Sequence, residues 1–156
     1  CGYKDGSNAN LWLEESLCET ASLFSMRRMS KSWVETPPYQ NWRDYAPHLG
    51  KYAQERIDKN GLPKNISVAE WYAKNREILR KNPTDRAKNT TIATKLLPLF
   101  EEKPKRWATV AYLNKCKDGK ARSFSRHLAD WKKSCPEPDQ RAFVDELAVL
   151  FGVKLP

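Results

Sequence analysis

Apolar residues recur at helical spacing along most of the chain, and this pattern predicts an all-α protein. In the apolar segments the large hydrophobic positions lie three or four residues apart, as one buried face of a helix requires. No stretch shows the repeated apolar/polar alternation that a half-buried strand would give. We therefore expect a single domain of about seven helices and no strand.

Capping residues and prolines divide the pattern into helices. The predicted helices cover residues 10–34, 42–59, 67–81, 84–104, 105–115, 121–134 and 139–151. Ser7 or Asn8 is available to cap the first, and Ser67 with Glu70 three residues later predicts a capping box for the third. Asp139 is predicted to cap the last helix, and Gly152 follows its end.

Length and composition agree with one globular domain. The chain has 156 residues, of which 40 % are hydrophobic and 30 % charged, and the connections between helices are short and rich in proline. No apolar run approaches the roughly 20 residues that cross a bilayer, so we expect no membrane span. Because the sequence opens at Cys1 without a Met, we expect a fragment of a longer protein; a mature bacterial lipoprotein is the alternative.

The chain is strongly basic, with a formal net charge of +9. Its cations are spread over the whole sequence, which favours solvated helix faces over a nucleic-acid site. The four cysteines form no Cys-x-x-Cys pair and have no histidine at zinc-finger spacing. Cys18 is predicted to be a buried thiol inside a helix, and a bridge between Cys116 and Cys135 stays open.

The first predicted helix carries two carboxylates in an unusual setting. With about 100° per residue, Glu15 and Glu19 lie within about 60° of each other on a face that also carries Leu11 and Met26. Leu13 and its apolar neighbours Leu17 and Phe24 lie on the opposite side, so the helix is predicted to be central. Like charges in such surroundings repel, and therefore a cation should meet them.

Two explanations of these carboxylates stay open. Arg or Lys side chains from other helices could neutralise them, or the face could line a solvent-filled groove. Alternatively, Glu15 binds a metal and Glu19 orients another ligand, because carboxylate oxygens are metal ligands and metal-bound His commonly donates its second N–H to an outer carboxylate.

The residues around Glu15 favour the second explanation. The segment Asn-Leu-Trp-Leu-Glu-Glu-Ser-Leu-Cys-Glu at residues 10–19 resembles the (D/N)-L-W-L-x-E-G-F-A segment of gluzincin-type zinc metallopeptidases. This resemblance implies that Glu15 is the third protein ligand of a catalytic zinc and that Glu19 supports a zinc-binding His. It also implies a helical C-terminal subdomain as the fold and a peptide or protein as the substrate. Ser16 departs from the Gly that is common at its position.

The sequence lacks the His-Glu-x-x-His motif that supplies two zinc ligands and the general base in that family. His48 and His127 are far apart and both follow Glu15, and we expect both to be partly exposed surface residues. The expected partner is therefore an N-terminal segment bearing the motif, and the chain alone should bind no zinc and be inactive. The alternative is a non-catalytic basic helical scaffold or interaction domain that binds polyanions.

Overall fold

The computed structural model describes residues 9–116 and 122–156, and the regular structure in these ranges is entirely helical. The seven helices are α1 (Leu11–Ser32), α2 (Tyr45–Asn60), α3 (Val68–Lys81), α4 (Arg86–Glu102), α5 (Trp107–Val110), α6 (Phe124–Ser134) and α7 (Pro138–Leu150). Short 3₁₀ turns at Gln40–Trp42 and Pro104–Arg106 precede α2 and α5. The predicted all-α fold of seven helices is confirmed. Within the described ranges no helix is long and apolar enough to cross a membrane.

Helix α1 is the centre of the packing, as its apolar pattern predicts. It lies along α4 and α2 and also touches α3. Leu13, Leu17 and Leu23 are at most 2 % exposed on its inner side. The opposite edge of the helix, which carries Cys18 and Ser22, is exposed. The helix is therefore buried on one broad face and leaves the other uncovered by the described helices.

Aromatic rings join the beginning of the chain to its end. The Trp12 ring lies 4.8 Å from that of Phe124 and 5.7 Å from that of Phe151, measured between centroids, and Tyr72 contacts all three rings. Trp12 is 1 % and Phe151 2 % exposed. Since burying such a side chain contributes about 1.5–3 kcal/mol, this cluster holds the C-terminal segment against α1 and α3.

Local capping signals set several of the helix ends. The Ser67 hydroxyl accepts the Glu70 N–H, and the Glu70 carboxylate accepts the Ser67 N–H, so the predicted capping box is confirmed. The Asp85 side chain likewise accepts the Lys88 N–H at the start of α4. The prediction that Asp139 caps the last helix is wrong. Its N-cap is Glu137, because Pro138 takes the first helical position, where no N–H is needed.

The helix predicted over residues 105–115 is much shorter in the structure. Only Trp107–Val110 is α-helical, and the chain continues in turns. The Trp131 indole donates to the Thr109 carbonyl at 2.9 Å, and the next N–H groups bond to carbonyls three residues back. The Thr109 carbonyl thus accepts both the Trp131 indole N–H and the Tyr112 N–H, in the three-residue spacing of a turn and not the four-residue spacing of an α-helix.

Three other predicted ends shift by a few residues. Helix α1 stops at Ser32, α2 starts at Tyr45 after a 3₁₀ turn, and α6 starts at Phe124 with Ser123 as its N-cap. The predicted caps Ser7 and Asn8 lie outside the described residues.

Candidate functional site

Helix α1 presents Glu15 and Glu19 one turn apart, at the boundary between its buried and exposed sides. Glu15 is half-buried and lies in line with exposed Cys18 and Ser22. Glu19 lies on the edge nearer to α2 and α4, and its side chain is only 14 % exposed. The two carboxylates therefore share a side of the helix, as predicted, but differ in their surroundings.

The cation expected near these carboxylates is Arg56 of α2. Its guanidinium Nη2 donates to Glu19 Oε1 and forms an ion pair whose Arg side chain is 16 % exposed. The Nε of Arg86, at the start of α4, lies 3.6 Å from the same oxygen. Two guanidinium groups from different helices thus face one carboxylate oxygen, which offsets the cost of burying Glu19.

The hydroxyl of Thr90 completes this arrangement. Its Oγ1 lies 2.9 Å from Glu19 Oε1 and accepts from Arg56 Nη2 at 2.9 Å. It also lies 2.7 Å from the backbone carbonyl of Arg86, so its single proton serves one of two acceptors at a time. Among the described residues, every hydrogen bond and ion pair of Glu19 is made by Oε1 and none by Oε2.

The electrostatics of Arg56 reflect its position. Burial, and then the nearby positive charge of Arg86, lower the pKa of Arg56 from its usual value. An arginine remains charged under these conditions. Arg86 therefore brings repulsion to Arg56 as well as a second cation to Glu19.

Glu15 differs from Glu19 because it forms no hydrogen bond or ion pair with any residue in the described part of the chain. The carboxylate of Glu15 also acts on Cys18. Partial burial of this thiol and then the charges of Glu15 and Glu14 raise the pKa of Cys18. The sequence analysis gave no role to Glu14, which is the most buried of the three carboxylates at 4 % exposure. Glu14 lies about 60° from buried Leu17 around the helix axis, and this spacing is the sequence signal of its burial.

Several other sequence predictions change once the structure is known. Cys18 is exposed, not buried, because it lies on the uncovered side of α1. Cys116 and Cys135 are free thiols in the structure and form no bridge with each other there. His127 is 6 % exposed and not a surface residue, because it lies on the inner face of α6. His48 is exposed, as expected.

The described residues contain no group of three or more His, Cys, Asp or Glu side chains that could hold a metal ion. Glu15 is therefore available as a single oxygen ligand, and its donor chemistry fits zinc.

Comparison of the chain with known protein families, with curated proteins and with solved structures finds no match in any of the three. The local contacts of Glu15 and Glu19 therefore carry the functional argument.

Proposed function

We propose that this chain is the C-terminal helical portion of a zinc metallopeptidase, in which Glu15 is the third protein ligand of the zinc. The observation that carries the proposal is the contrast between two carboxylates one turn apart. Glu19 is held by Arg56 and Thr90, whereas half-buried Glu15 has no partner in the described part of the chain. A carboxylate left without a cation in a partly buried position is suited to a metal ion.

The surroundings of Glu19 suit its proposed supporting role. Arg56 and Thr90 hold Oε1 and so fix the orientation of the carboxylate, which leaves Oε2 to accept an N–H. The second N–H of a zinc-binding His is such a donor, and this contact orients the imidazole ring. Arg56 and Thr90 therefore act through Glu19 as positioning residues.

The exposed side of α1 is where an upstream segment would pack. Cys18, Ser22 and Ser25 are exposed along the stripe that Glu15 begins. A His-Glu-x-x-His helix packed on this side would bring two imidazoles beside Glu15. Bound zinc supplies a water of pKa about 7 and polarises the scissile carbonyl of a peptide or protein substrate. A single carboxylate does not retain zinc, so this chain by itself should be inactive.

The test begins with the encoding gene upstream of the Cys1 codon. We expect an in-frame His-Glu-x-x-His there. A start codon or lipoprotein leader directly before Cys1, without the motif, would overturn the proposal.

The second step measures the zinc content of the purified full-length protein by mass spectrometry. Glu15→Ala should abolish zinc retention, whereas Glu35→Ala, which removes an exposed carboxylate beyond the end of α1, should leave it unchanged. Zinc retained in full by the Glu15→Ala protein would remove Glu15 from the metal site.

A second candidate is the non-catalytic basic helical scaffold. The ion pair between Arg56 and Glu19 favours it, because an internal cation accounts for that carboxylate without a metal. In this case the full-length protein would bind no zinc, and Glu15 would be a solvated surface residue. Steeply salt-dependent binding to a polyanion would support this candidate.

A further inference from the structure

A groove of about 410 Å³ lies between α2 and α4, on the side of the bundle to which Glu19 turns. Arg56 and Lys59 from α2 and Arg86 from α4 line it, together with Tyr52 and Glu55. All of its lining residues lie within the described ranges. We call it the α2–α4 groove.

Positive charge exceeds negative charge in this groove. Its lining contains three cations and one carboxylate, that of Glu55, whose Oε1 lies 3.9 Å from Lys51 Nζ. Both arginines also face Oε1 of Glu19, which is not a lining residue. Lys59 forms no ion pair with the described residues. Glu19 thus contacts both guanidinium groups, whereas the Lys59 side chain is exposed to solvent.

The two arginines differ in a way that suits ligand binding. Arg56 is largely buried and is held by Glu19 and Thr90. Its side chain therefore loses little further conformational entropy when a ligand binds. The Arg86 side chain is 71 % exposed, and its Nε is 3.6 Å from Glu19, longer than a hydrogen bond. Most donors of Arg86 are therefore available to a ligand.

The geometry points to an oxyanion site in the α2–α4 groove, where a phosphate or carboxylate group of a ligand binds Arg86 and Lys59 above Arg56. Guanidinium groups form paired, charge-assisted hydrogen bonds with phosphate and carboxylate groups. A bound anion also relieves the repulsion between Arg56 and Arg86, which adds to burial in lowering the pKa of Arg56. The site needs no zinc, and it stands whether or not the proposed peptidase function holds.

Calorimetric titration of the full chain at low salt tests this site. One arm uses inorganic phosphate, and the other uses an N-acetylated dipeptide with a free C-terminal carboxylate. The same dipeptide with a C-terminal amide is the uncharged control. We expect saturable binding of one anion per chain in at least one arm and no binding of the amide. The arm with the higher affinity identifies the source of the oxyanion. Absence of saturable binding in both arms would overturn the site.

Matched charge variants separate a built site from general attraction to a basic protein. Arg86→Gln should weaken binding about tenfold or more, because it removes a direct contact. Lys95→Gln removes one positive charge from an exposed position of the same helix outside the groove and should change affinity by less than about twofold. Equal weakening by both variants would show that the protein attracts anions without a site.

A third variant is expected to act in the opposite direction. Glu19→Gln removes the carboxylate that competes for Arg56 and Arg86 but keeps a side chain that can hydrogen-bond. Anion affinity should therefore rise severalfold, provided that the circular dichroism spectrum shows the helices intact. An unchanged or lower affinity in a folded Glu19→Gln protein would contradict the proposed location.

Discussion

The guanidinium of Arg56 and the carboxylate of Glu19 meet between α1 and α2, although 37 residues separate them in the chain. The pair links the central helix to its neighbour, and Thr90 extends the link to α4. Three helices that contact one another mainly through apolar residues are thereby joined by one polar cluster. The same cluster distinguishes Glu19, which two guanidinium groups face, from Glu15, which has no cation in the described part of the chain.

Arg56→Ala should lower the free energy of unfolding by about 2–3 kcal/mol, because it leaves the Glu19 carboxylate largely buried with only one exposed cation nearby. Arg86→Ala removes a mostly exposed side chain and should cost less than about 1 kcal/mol. Urea unfolding followed by circular dichroism measures both. If both variants lower the free energy of unfolding equally, the buried ion pair with Arg56 contributes no more to stability than the exposed Arg86.

A double-mutant cycle tests the pair directly. Arg56→Ala should lower the free energy of unfolding less in a Glu19→Gln background than in the parent protein.

The buried imidazole of His127 predicts a loss of stability in mild acid. Burial, and then the charge of Arg122, lower its pKa to about 4, against the opposing effect of Asp130. In the unfolded chain the pKa is about 6.5, so the folded state binds fewer protons between these values. The contribution of His127 to stability is therefore complete above pH 6.5 and is lost as the pH falls toward 4, by up to about 3 kcal/mol.

The measurement for His127 compares unfolding free energies at several pH values between 7 and 4 for the parent protein and His127→Gln. The variant should show a shallower decline over this range. His48→Gln, which changes an exposed histidine, should follow the parent curve. Parallel curves for the parent and His127→Gln would show that the buried imidazole does not govern this dependence.

Gly152 should tolerate no side chain. It follows α7 with φ +64°, and the N–H of Val153 bonds to the Ala148 carbonyl at 2.8 Å, as a Schellman motif requires. A Cβ added there would lie 2.7 Å from the Cβ of Ala69 on α3. We expect Gly152→Ala to cost about 2 kcal/mol, part from the left-handed backbone and part from the contact.

Thermal unfolding of Gly152→Ala in two backgrounds separates these parts. Ala69→Gly removes the atom that the new Cβ would meet, so Gly152→Ala should cost less in that background than in the parent. An equal loss of stability in both backgrounds would mean that the contact with Ala69 does not contribute to the cost of Gly152→Ala.

The two Asn-x-Ser/Thr triplets of the sequence should differ as acceptors of N-linked glycan. Asn65 is exposed in the turn before α3. Asn89 is 3 % exposed, and its amide donates to the Pro83 carbonyl at 2.8 Å inside the α4 packing. Secretion from a eukaryotic host should therefore add glycan at Asn65 only, which a mass shift abolished by Asn65→Gln would show. Glycan found on Asn89 would require the start of α4 to be open when the glycan is added.

The chain's local chemistry predicted much of the helical structure. The capping signal at Ser67 and the glycine at 152 depend on side-chain and backbone groups within a few residues, so the sequence was enough to predict both helix ends. The same local signals were misleading at Asp139, where the adjacent Pro138 moved the helix start. They also failed after Val110, where the predicted helix gives way to turns and the Thr109 carbonyl also accepts from the indole of Trp131, 22 residues away.

For the candidate site, the sequence by itself determined that Glu15 and Glu19 share one side of a central helix, because helical periodicity is a local property. Only the tertiary structure decided that Arg56, Arg86 and Thr90 converge on Glu19, while Glu15 has no partner in the described part of the chain. These contacts span 37 to 71 residues of sequence, and no local spacing encodes them. They arise because burying the apolar sides of α1, α2 and α4 fixes how the helices pack and so which polar side chains meet.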